Sequence, residues 1–134
     1  MLIKIGILLI MIFLHIKEDY NQGIIADLKQ KSWWEKNEPD KMYKNDYKIV
    51  LFLHAFSWTF IVMLPVVVYA IVNNAFNEIK IYDFYLIAVF VGNLIIHYII
   101  DDMKANKKTI NLMADQLIHI AQIIYMWILV FIIK

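Results

Sequence analysis

Four apolar stretches constrain this chain more than any other feature. They cover roughly 1–17, 49–72, 84–101 and 116–133, with a polar segment over 18–48. A helix rises about 1.5 Å per residue, so they span roughly 24 to 36 Å against a hydrocarbon core of about 30 Å. The chain is 62% hydrophobic with a mean hydropathy of +0.61, which places it among membrane proteins. The expected fold is therefore all-α: a single-domain, integral membrane four-helix bundle of 134 residues. Pro65 is expected to kink the second helix. A signal peptide is the rival reading of the first stretch. No small-x-small cleavage site follows it, which favours a retained helix.

Lysine placement sets an expected orientation. Seven lysines lie between Lys17 and Lys48, and Lys104, Lys107 and Lys108 lie between the third and fourth stretches. Only Lys4, Lys80 and Lys134 fall on the other side. The positive-inside rule then puts both lysine-rich loops in the cytoplasm and both termini outside, across a bacterial inner membrane. Within the first loop, 24–36 reads as one amphipathic helix. Ile24, Ile25, Leu28 and Trp33 form its apolar side, and Trp33 and Trp34 suit the membrane interface. Pro39 ends the pattern. This helix would either cover the cytosolic end of the bundle or act as a lid.

Several functions are excluded early. A net charge of +1 argues against nucleic acid as a partner. The absence of cysteine rules out disulfides, thiolate–metal sites and cysteine nucleophiles. All the basic residues are lysine, so no guanidinium clamp for phosphate exists. With three glycines there is no phosphate-binding glycine loop. Ser57 lies near His54 but no nucleophile elbow surrounds it.

The chemistry-bearing residues follow a spacing. His15 precedes Asp19 by four, His97 precedes Asp101 by four, and Asp115 precedes His119 by four. Residues four apart share a helix face. The fourth histidine, His54, lies just inside the second stretch. Because the chain direction alternates, all seven residues fall at one end of the expected bundle. Histidine and aspartate are costly in lipid and mark function when they persist there. A capping role remains the bland reading of any single pair.

Imidazole and carboxylate together are the usual ligands of catalytic zinc, manganese or iron. Bundle cores build such sites from facing helices. The expected site is therefore a divalent metal centre of one or two ions, zinc first, with manganese or iron as alternatives. Its ligands are His15, Asp19, His54, His97, Asp101, Asp115 and His119. Asp101 and Asp115 are the candidate catalytic carboxylates, one of them a general base. Gln22, Gln116 and Asn93 are candidate supporting residues around the ligands. Asp102 is set aside because it points about 100° from Asp101 on a helix.

These motifs, taken in order, resemble a family of small bacterial and phage membrane proteins catalogued as a domain of unknown function. The family pattern is His-x-x-x-Asp followed by an aromatic residue and a glutamine, a lone histidine opening the second helix, His-x-x-x-Asp, and Asp-Gln-x-x-His. Here they read His15, Asp19, Tyr20 and Gln22; then His54; then His97 and Asp101; then Asp115, Gln116 and His119. Tyr20 stands where the family usually has phenylalanine. The resemblance covers nearly the whole chain and implies a membrane protein without an assigned activity. A more distant likeness to membrane-bound metal-dependent hydrolases is fold-level analogy.

The leading functional expectation is a metal-dependent hydrolase acting on a lipid or phosphoester at the cytosolic membrane face. A non-catalytic membrane protein with a structural His/Asp metal site is the alternative. Ion transport ranks third, because the far halves of the helices look apolar and transport sites usually sit near the midplane.

Overall fold

A computed structural model describes residues 1–72 and 80–132, with backbone alone for 80–83. The fourth predicted stretch ends at Ile133, and Lys134 enters the lysine count; both lie outside the described residues. The described residues are helical with no strand: α1 (Leu2–Tyr20), α2 (Ile25–Leu28), α3 (Lys31–Asn37), a 3-10 turn (Lys41–Tyr43), α4 (Asp46–Val72), α5 (Lys80–Ala105) and α6 (Leu112–Phe131).

Three of these helical stretches are long and apolar enough to cross a membrane, among the described residues: Lys41–Val72, Phe84–Ala105 and Leu112–Phe131. The expectation had been four. α1 has 19 residues, but Lys4, Lys17, Glu18 and Asp19 dilute its apolar character.

The long helices pack α1 on α4, α4 on α5, α5 on α6 and α6 on α1. Neighbours run antiparallel. Near the start of α1, Lys4 Nζ donates to the Phe131 carbonyl at 3.3 Å, and Trp127 Nε1 donates to the Lys4 carbonyl at 2.7 Å. At the other end, Gln116 Nε2 donates to Asp19 Oδ2 at 2.7 Å. The ammonium of Lys4 thus sits against the carbonyl-rich C-terminus of α6, where the helix dipole favours a cation.

Each long helix buries one side. In α1 it is Ile7, Met11 and His15, four apart. In α5 it is Val89, Asn93, His97 and Asp101, also four apart. In α6 it is Asp115, His119, Gln122, Ile123, Met126 and Val130. That spacing keeps the stripe on one side of a 3.6-residue helix. Every stripe is apolar at one end and polar at the other, so stacking them gives two layers. The apolar layer gathers Ile7, Met11, Val62, Met63, Val66, Val89, Ile123, Met126 and Val130. Large apolar side chains such as Leu9, Phe13, Phe52, Phe60, Ile87 and Ile95 face outward. Leucine, isoleucine and phenylalanine on the outside are what a lipid-facing surface requires.

The segment between α1 and α4 differs from the single helix expected over 24–36. Gly23 turns the chain at φ 49°, and α2 closes after one turn. Gln30 then takes an extended conformation before α3 begins. Trp34 Nε1 donates back to the Leu28 carbonyl at 2.7 Å, folding α3 against α2. Lys29, which closes α2 just before the break, reaches Asp101. Pro65 lies inside α4, which runs on past it.

Candidate metal centre

The seven predicted ligands converge at one end of the bundle. His15, His97, Asp115 and His119 are fully buried, and His54 and Asp101 nearly so. Asp101 is the hub. Its Oδ1 lies 3.3 Å from His119 Nε2 and 3.8 Å from His97 Nε2. Its Oδ2 lies 3.3 Å from His54 Nε2. His54 Nε2 and His97 Nε2 face each other at 3.5 Å, and His119 Nε2 lies 3.3 Å from Asp115 Oδ1. Asp19 Oδ1 is 4.0 Å from His54 Nε2.

These distances are informative because they exceed ordinary hydrogen bonds, which cluster at about 2.7–3.0 Å. Two ligands each about 2.0–2.2 Å from one ion, at a tetrahedral angle, lie roughly 3.3–3.6 Å apart. Donor atoms held at ligand–ligand spacing could hold a metal ion. Among the described residues, three overlapping sets bring ligand atoms within 4.8 Å of one another: Asp19, His54 and His97; His97, Asp101 and His119; and Asp19, Asp115 and His119. Among the described residues, three buried side-chain atoms make no hydrogen bond, and one of them, Asp115 Oδ1, lies 3.3 Å from His119 Nε2 in the third set. An unpaired buried polar atom is costly unless something else satisfies it.

His15 stands apart from the three sets. Trp58 Nε1 donates to its Nδ1 at 2.9 Å. An indole can only donate, so a neutral His15 carries its proton on Nε2. That buried Nε2 has no hydrogen-bond partner. His15 therefore presents an N–H rather than a lone pair. Its predicted partner Asp19 accepts instead from Gln116 of α6 at 2.7 Å and from Gln22, just past the end of α1, at 3.5 Å.

Of the expected supporting residues, Gln22 and Gln116 contact the cluster directly and Asn93 does so through Gln122. Gln22 Nε2 lies 3.4 Å from His54 Nε2, and Gln116 also donates to Asp115 Oδ2 at 3.1 Å. Asn93 acts at one remove. Gln122 donates to the Asn93 side-chain and main-chain oxygens, both at 2.9 Å, and its Oε1 faces His119 Nδ1 at 3.5 Å. Asp102 pairs with Lys107 at 3.1 Å, away from the cluster. Ser57 donates to Glu18 Oε1 at 2.8 Å, which occupies its hydroxyl proton.

Four contributors escaped the sequence reading. Lys29, from the segment between α1 and α4, reaches Asp101 Oδ2 at 2.7 Å with both side chains buried. Lys104 reaches Asp115 Oδ2 at 2.6 Å. Trp58 stacks on His97, with ring centroids 4.1 Å apart and planes 19° apart, and forms the floor between the ionisable and apolar layers. Gln122 orients His119. The usable signal was helical spacing: Trp58 lies four after His54, and Gln122 three after His119. Nothing local distinguished Lys29 or Lys104 from the other lysines.

No family model matches the chain, and neither a curated protein nor a solved structure matches it.

Proposed function

We propose that this chain is a membrane-embedded metal-binding protein working as a metal-dependent hydrolase on a lipid or phosphoester. The single observation behind this reading is the 3.3–3.5 Å spacing among buried histidine nitrogens and aspartate oxygens from facing helices. His54, His97, His119, Asp19, Asp101 and Asp115 hold one or two divalent ions, zinc first, manganese or iron second. A divalent ion in such a site lowers the pKa of a bound water towards neutrality. Asp101, with one oxygen towards His119 and the other towards His54, spans the two halves of the cluster. Where the ions are held by the other residues, Asp115 Oδ1, which makes no hydrogen bond, is the better placed general base. The lysine distribution supports a site at the cytosolic face of a bacterial inner membrane, with α1 as a fourth crossing and both termini outside. The order of the four motifs supports membership of the membrane family they resemble.

Metal content decides this reading. Protein purified in mild detergent should carry one or two ions per chain by elemental analysis, and His97→Ala should lose them. Metal-free wild-type protein, or a His97→Ala variant with unchanged content, would overturn it.

A second reading has its own support. Lys29 and Lys104 already neutralise Asp101 and Asp115, so the cluster is also consistent with a structural, non-catalytic role. A tightly held ion with no open coordination position favours that reading. Transport is the third reading, disfavoured by the apolar side chains packed beyond Trp58 among the described residues.

A further inference from the structure

Two cavities meet at the ionisable cluster, and their chemistries differ. One is an apolar groove of about 780 Å³ between α1 and α6, lined by Ile16, Tyr20, Leu112, Met113, Gln116 and Ile120 among others. The other is a polar mouth of about 480 Å³ whose lining includes Asp19, Gln22, Lys29, Lys104 and Lys108. Gln116 lines the first, Asp19 lines the second, and the two are joined by a 2.7 Å hydrogen bond. That hydrogen bond joins the lining of the apolar groove to the lining of the lysine-bearing opening, with Asp115 3.1 Å from the same Gln116 nitrogen.

We propose that this paired cavity binds one amphiphile: an acyl-chain lipid whose headgroup carries a phosphate. The proposal rests on the metal-centre reading above and names its ligand class. The acyl chain lies in the α1–α6 groove. The phosphate takes the ammonium groups of Lys29 and Lys104, with Lys108 at the rim. Charge complementarity carries the assignment. The mouth sets three lysines against one aspartate. Lysine binds phosphate as a point charge, and ionised hydrogen bonds are the strong ones. Lys29 and Lys104 are at present spent on Asp101 and Asp115. Both carboxylates are candidate metal ligands, and a carboxylate that ligates an ion no longer needs an ammonium beside it. Metal loading thus frees two cations at the place where the headgroup would arrive. A water-soluble phosphoester would have no use for the groove, and an uncharged lipid none for the lysines.

The test uses the full chain in detergent, incubated with zinc, with metal content measured on the same samples. Dioctanoyl phosphatidic acid is titrated against its two halves, dioctanoylglycerol and inorganic phosphate. Phosphatidic acid should bind at least tenfold tighter than either half. Lys104→Gln should weaken phosphatidic acid about tenfold and leave dioctanoylglycerol unchanged. Met113→Trp, which fills the groove from its exposed side, should weaken phosphatidic acid and leave inorganic phosphate unchanged. Lys29→Met should act as Lys104→Gln does; since it also removes a buried ion pair, its helical content is checked by circular dichroism. Metal-loaded wild type that binds phosphatidic acid no tighter than inorganic phosphate, or Lys104→Gln and Met113→Trp variants that bind it normally, would overturn this inference alone. Wild type that takes up no zinc would overturn the metal centre with it.

Discussion

Lys29 and Asp101 meet at 2.7 Å although 72 residues separate them in sequence. The pair joins the segment between α1 and α4 to the centre of the ionisable cluster, and both side chains are buried. The same attachment is reinforced by Asn106, which accepts from Lys31 N at 2.7 Å and donates to the Lys29 carbonyl at 3.2 Å. The segment is therefore fastened to the end of α5 through both charge and backbone.

Lys29→Met should have opposite effects on the metal-free and metal-loaded protein. Breaking a buried ion pair by removing one partner costs about 3–5 kcal/mol. Without metal, Asp101 is left uncompensated and the unfolding temperature in detergent should fall. With metal the loss should be much smaller, and metal affinity should rise because a competing cation is gone. Equal destabilisation in both states would show that Lys29 and the ion do not share Asp101.

His97 and His15 should separate cleanly. His97→Ala removes a nitrogen from two of the three candidate ligand sets and should abolish stoichiometric metal. His15→Gln should retain the metal, since His15 turns its lone pair towards Trp58. Elemental analysis of the two variants side by side checks this. Loss of metal from His15→Gln would make His15 a ligand after all.

Gln122→Leu should weaken metal binding about tenfold without abolishing it, the usual scale for a residue that orients a ligating histidine. The change leaves His119 Nδ1 without the oxygen it faces at 3.5 Å. It also frees the Asn93 side chain, so Asn93→Ala should show a smaller effect in the same direction. Competition with a chromophoric chelator measures both.

Orientation is directly accessible because the chain has no cysteine. Lys36→Cys and Lys108→Cys should react with a membrane-impermeant maleimide only after the inner membrane is permeabilised. Leu2→Cys should react in intact spheroplasts. Labelling of Leu2→Cys from the same side as Lys36→Cys would mean that α1 does not cross.

Much of the site was legible because it is written in local spacing. His97–Asp101 and Asp115–His119 are four-residue pairs, and both face the cluster on their own helices. Alternating chain direction then brings them to one end. What the spacing could not convey is which atom of each ring faces the partner. His15 keeps the spacing with Asp19, yet its Nδ1 is taken by Trp58 on another helix. Lys29 was illegible for a different reason. A lysine in a polar loop normally extends into water, whereas this one is buried against a carboxylate 72 residues away. Helix extents were read short: α6 begins at Leu112, where Asn111 caps it by accepting from Ala114 N at 2.9 Å. Leu112 and Met113 are apolar, but they stand between Asn111 and Asp115, so the polar residues on either side hid that turn from hydropathy alone.

The tryptophan floor has a consequence for any ion held beside it. Among the described residues, Trp58 stacks on His97 where the ionisable cluster meets packed apolar side chains. An ion held by His97 would lie beside an indole on that side and exchange with solvent from the end that carries Lys29 and Lys104.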